Sequence, residues 1–145
     1  MVVHTHTIDE QFKRIALHVH SLSGIQAIVA AAKTVFITSL LSLPLTAAPL
    51  IAALVTLGIY TANKLTDLDE DSINRPDQVD LVTEQRTQIV AAIVVSLLAA
   101  AALAVLRGGV TALAITLLPV VAGVFYNQAV VPGHDVRLKD VFAVN

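Results

Sequence analysis

Three runs without a charged side chain, Thr34 to Asn63, Thr87 to Leu106 and Gly108 to His134, govern what this 145-residue chain can fold into. An α-helix crosses a bilayer with about 20 consecutive, mostly apolar residues, and each run is long enough to supply one. Composition agrees: 56% of residues are apolar and 14% charged, far from the proportions of a soluble domain. In lipid every backbone amide and carbonyl must be satisfied internally, so such runs become helices. The expected fold is therefore an all-α integral membrane bundle, with no room for a separate soluble domain.

Punctuation divides the runs. Pro44 and Pro49, with Thr46 between them, break the first into a tight hairpin, because proline lacks an amide donor and disfavours helix in the residue before it. Arg107, Gly108 and Gly109 break the last pair. Four transmembrane helices are expected at roughly 22–43, 47–65, 86–106 and 109–127, all within a bundle of residues 22–145. A three-span alternative keeps one long bent helix from Thr34 to Asn63. Residues 1–21 read as an amphipathic interfacial segment: Thr7 and Glu10 have capping-box spacing, and Ile8, Phe12, Ile15, Val19 and Leu22 recur every three or four residues. Asp9, Glu10, Lys13 and Arg14 interrupt this segment, which excludes a cleaved secretory signal.

Charge sets the orientation. In the four-span arrangement Lys13, Arg14, Lys64, Arg75, Arg86, Arg137 and Lys139 share one side and Arg107 stands alone on the other. A multi-pass protein of the cell membrane, with its N-terminus and the loop after the second helix cytoplasmic, is the expected result. Lys33 fits neither side: near the middle of helix 1 a charge costs roughly 2.5–3.5 kcal/mol on insertion scales. It either snorkels toward an interface or faces a polar cavity that attracts an anionic ligand.

The second helix ends in the chain's densest negative charge, "ANKLTDLDEDSIN" at residues 62–74. Asn63, Asp67 and Asp71 stand four residues apart, so a continuing helix aligns them on one face, about 6 Å between neighbours. Crowded carboxylates repel unless a cation intervenes, and carboxylate and amide oxygens suit a hard ion such as Mg²⁺. Because Mg²⁺ usually shares its shell with substrate phosphates, this spacing points to a phosphate-bearing ligand. A calcium loop starting at Asp67 fails, with Ser72 where glycine is needed and Gln78 where a bidentate glutamate is needed. The bland alternative is a solvated acidic cap that Asp77, Asp80 and Glu84 continue.

"YTANKLTDLDEDSINRP", Tyr60 to Pro76, resembles the first aspartate-rich motif of the UbiA superfamily of intramembrane prenyltransferases, and "RLKDVFAV", Arg137 to Val144, resembles the basic segment after its fourth helix. The resemblance implies the first half of a UbiA-type fold, binding Mg²⁺ and an isoprenyl diphosphate and transferring the prenyl group to a lipophilic acceptor. Carried onto matching positions, it implies metal and diphosphate binding by Asn63, Asp67 and Asp71, with Tyr126, Arg137 and Lys139 near the diphosphate. Arg75, and Lys33 if it faces a cavity, are further candidates for the phosphate. No catalytic residue is assigned. Two departures stand out: Lys64 occupies a position where the family commonly has Asp, and the second aspartate-rich motif is absent, Asp135 and Asp140 being five apart. One metal-binding wall does not clamp a diphosphate from both sides. The chain is thus expected to be a truncated member, inactive as a lone monomer unless a second chain supplies the missing half. The reading from another class is a noncatalytic membrane subunit or scaffold with an acidic cytoplasmic loop.

Other chemistry is excluded. The chain has no cysteine, hence no disulfide, thiol nucleophile or thiolate metal site. His4 with His6 and His18 with His20 are two apart, a spacing that diverges on a helix and could chelate a metal on a strand; ordinary polar residues flanking the first helix are the expected reading. Tyr60 and Tyr126 sit near span ends, where tyrosines commonly serve as interfacial anchors. No glycine-rich phosphate loop, serine elbow or aromatic-basic nucleic-acid surface is present.

Overall fold

A computed structural model describes residues 23–66, 68 and 83–127. Among them the structure is entirely helical, with α1 at Gly24–Leu40, α2 at Ala48–Thr66 and α3 at Arg86–Asn127. The expected interfacial segment of residues 1–21 lies outside the described residues, as does most of the acidic loop.

The first break falls where the prolines place it, but its chemistry begins earlier. α1 stops at Leu40, three residues before the expected end, because Ser42 adopts a left-handed conformation with φ 53°. The Leu43 amide donates to the Thr38 carbonyl at 2.9 Å and the Ser42 amide to Ser39 at 3.1 Å, a Schellman cap with serine where glycine is usual. At the far side of the turn the Ala48 amide donates to Thr46 Oγ1 at 3.2 Å, and Pro49 sits in the first turn of α2, where its missing donor costs nothing. A single bent helix from Thr34 to Asn63 does not form. α1 and α2 pack together across the connection of residues 41–47.

α3 is 42 residues long but is not straight. At Gly109 the backbone takes φ 66° and ψ −158°, outside any helix and open essentially to glycine alone. Two contacts show what the break does. Gly58 of α2 lies against Leu97, while Ile59, the next residue, lies against Gly123. Leu97 and Gly123 would stand about 39 Å apart along a straight helix at 1.5 Å per residue. They meet neighbouring residues of α2, so α3 doubles back at Gly109 into two arms, residues 86–108 and 110–127. The reversal falls where the sequence places it, within the same two glycines.

The outward surface of these helices is largely apolar. Two of them, α2 and α3, are long and apolar enough to cross a membrane, and only 17% and 22% of their most apolar stretches are buried inside the structure. A core helix of a soluble protein would be mostly buried; here Leu106, Val110, Leu118 and Phe125 stand open instead. α1, at 17 residues, is shorter. Three hydroxyl groups are satisfied within their own helices, an arrangement suited to lipid: Thr34 Oγ1 donates to the Ala30 carbonyl, Ser96 Oγ to Ile93 and Thr116 Oγ1 to Ala112, at 2.9, 2.9 and 2.7 Å.

Candidate functional site

Between α2 and the two arms of α3 lies a cleft of about 310 Å³. Its α2 wall is built by Gly58, Ile59, Ala62, Asn63 and Thr66, whose spacing places them on one helical face. Leu97 closes it from the first arm, and Val120, Gly123 and Val124 from the second. Seven of these nine residues carry no polar side-chain atom. The exceptions, Asn63 and Thr66, both lie at the C-terminal end of α2.

Helix contact defines the opposite end. A Cβ added to Gly58 would sit 2.7 Å from Leu97 Cγ and Cδ2, and one added to Gly123 would sit 3.3 Å from Ile59 Cγ2. Both arms therefore press on α2 at the level of Gly58 and Ile59. Close approach of this kind is how transmembrane helices gain packing without a hydrophobic driving force between them. Buried Thr61 and Ser96 lie beside the contact; Ser96 Oγ is 3.1 Å from the position of a Gly58 Cβ. The cleft is a slot whose α2 wall runs from the Gly58 contact, its floor, to Asn63 and Thr66 at the end of the helix, its mouth.

Of the sequence candidates, the structure brings Asn63 to this cleft. Its backbone carbonyl accepts the Thr66 hydroxyl at 2.9 Å, which ties the two polar residues of the mouth together. Lys33 is exposed on α1 and is not among the residues lining the cleft. Tyr126 is also exposed, two residues beyond Val124 and outside the lining. Asp67, Asp71, Arg75, Arg137 and Lys139 lie outside the described residues. Among the described residues no three histidine, aspartate or glutamate side chains converge to hold a metal.

Sequence reasoning missed most of the slot. A signal existed for one wall: Gly58, Ala62 and Thr66 form a row of small residues at steps of four, the pattern of close helix approach. Ile59 and Asn63 form the adjacent row, and the same step of four carries it in sequence to Asp67 and Asp71. Leu97, Val120 and Gly123 carry no such signal, because they join the site only through the fold-back at Gly109. Compared with protein-family models, curated proteins and solved structures, the chain matches none.

Proposed function

We propose that this chain is a UbiA-like membrane component that binds an isoprenyl diphosphate, its prenyl tail in the slot and its diphosphate at the cytoplasmic end of α2. The observation that carries the proposal is the position of Asn63 at the polar mouth of an otherwise apolar cleft. An amphiphile with a long apolar tail and an anionic head matches that polarity.

Four membrane crossings accommodate the site: α1, α2 and the two arms of α3, with the N-terminus and the acidic loop in the cytoplasm. The donor chemistry that the sequence offers, an amide oxygen at Asn63 followed at steps of four by the carboxylates of Asp67 and Asp71, suits Mg²⁺. When bound, the ion supplies neutralisation of diphosphate charge and stabilises the departing oxygens. The apolar walls exclude water from the allylic end of the donor, where hydrolysis would compete with transfer to a lipophilic acceptor. Asn63, Asp67 and Asp71 supply one side of a clamp, and prenyl transfer requires an opposing acidic wall. Where none is contributed, the protein serves as a noncatalytic subunit or scaffold.

Titration calorimetry in detergent with a prenyl diphosphate tests the reading. The intact chain is expected to bind in Mg²⁺ and to lose at least tenfold in affinity in EDTA, and the Asp67→Asn, Asp71→Asn double variant to bind at that lower level with or without Mg²⁺. Equal binding by chain and variant in Mg²⁺ removes the metal site and leaves the scaffold reading.

A further inference from the structure

We infer that the slot gauges tail length, admitting about two isoprene units and stopping the chain at the Gly58–Leu97 contact. The inference rests on the prenyl-donor reading for the identity of the tail, and on the cleft alone for its length.

Two independent measures agree on that length. A 150 Å³ apolar cavity holds one benzene, so about 310 Å³ holds roughly twice six carbons. The slot also has a length: Gly58 and Thr66 bound its α2 wall, and eight helical steps of 1.5 Å make it about 12 Å. An extended chain advances about 3.6 Å for every three bonds, so that length takes about ten bonds. An isoprene unit runs about four bonds along the chain, so ten bonds take two whole units and only part of a third, and the volume takes about two.

The floor is built to resist a longer tail. At Gly58 the Leu97 side chain fills the space so closely that one added carbon would overlap its Cγ and Cδ2, and Gly123 brings the second arm against Ile59 at the same depth. A third isoprene unit has to displace Leu97 or leave between the helices into lipid. Ala62, midway along the wall, sets the bore: a larger side chain there would obstruct the tail between mouth and floor. Leu97 and Ala62 are thus specificity-determining positions, one for length and one for entry.

Photolabelling tests this with the full chain in lipid nanodiscs. The probes are alkyl diphosphates and the corresponding alcohols of five, ten and fifteen carbons, each ending in a diazirine, with labelled positions read by peptide mass spectrometry. The ten-carbon diphosphate is expected to label the segments holding Gly58 and Leu97 at least fivefold more than the fifteen-carbon one, and the five-carbon probe to label nearer Ala62 and Val120. Leu97→Ala shifts deep labelling toward the fifteen-carbon probe, and Ala62→Leu abolishes it for all lengths. If Ala62→Leu does not fold, Leu97→Ala still tests the gauge in the opposite direction. Labelling independent of length, or confined to the exposed Ile115, Leu118 and Phe125, overturns the inference. Length-graded labelling by alcohols, with no Mg²⁺ dependence for diphosphates, keeps the gauge and removes the prenyl diphosphate reading. Mg²⁺-dependent labelling without length grading does the reverse.

Discussion

The chain turns back twice, between α1 and α2 and again inside α3, and the two reversals are built on opposite plans. The first spreads its work over residues 41–49: a Schellman cap at Ser42, Pro44 to refuse helix, Thr46 to catch the Ala48 amide and Pro49 to start the next helix. The second is concentrated in Gly108 and Gly109. Gly109 supplies the backbone angles with nothing within 4 Å of its missing side chain, whereas a Cβ on Gly108 would lie 2.5 Å from Ala112 Cβ. One glycine is required by conformation and the other by space. A distributed turn tolerates the loss of any one device, while a concentrated one fails at a point, and it is the concentrated turn that brings Val120, Gly123 and Val124 to the slot.

Substitutions sharpen this contrast. Gly109→Val is expected to have the largest effect, about 3 kcal/mol of lost stability, since a β-branched residue is excluded from those backbone angles. Thermal unfolding in detergent reads the loss, and a valine variant as stable as the parent breaks the contrast. Gly108→Ala is expected to cost about 2 kcal/mol by overpacking against Ala112, whose Cβ has no rotamer with which to move aside. Ser42→Gly acts in the other direction, with a gain of up to about 1 kcal/mol by relieving the left-handed serine. A loss there would mean that the Ser42 side chain supports the turn in a way its backbone bonds do not reveal.

Both turns were legible in the sequence because proline and glycine act locally. Proline's missing donor and glycine's extra freedom exert their effects whatever the rest of the chain does. The end of α1 was less legible: hydropathy continues through Leu41 and Leu43, and only the left-handed Ser42 stops the helix at Leu40. Lys33 shows a second limit, since an uncharged run locates a residue along a helix but not around it, and the side chain stands exposed on α1 outside the cleft lining. The slot was legible on one wall only. Asn63 and the small-residue row of α2 follow from spacing, but Leu97 and Gly123 are 26 residues apart in sequence and become neighbours of one site through tertiary folding alone.

The account depends on the end of α2 gripping a diphosphate through a divalent ion beside Asn63. Phosphorus NMR of geranyl diphosphate with the chain in nanodiscs observes that grip at the atoms concerned. Adding Mg²⁺ is expected to shift and broaden both phosphorus resonances with the chain present well beyond the change Mg²⁺ causes in empty nanodiscs, and an Asn63→Ala, Asp67→Asn, Asp71→Asn triple variant to remove the difference. Spectra that respond to Mg²⁺ identically for the chain, the triple variant and empty nanodiscs would contradict it.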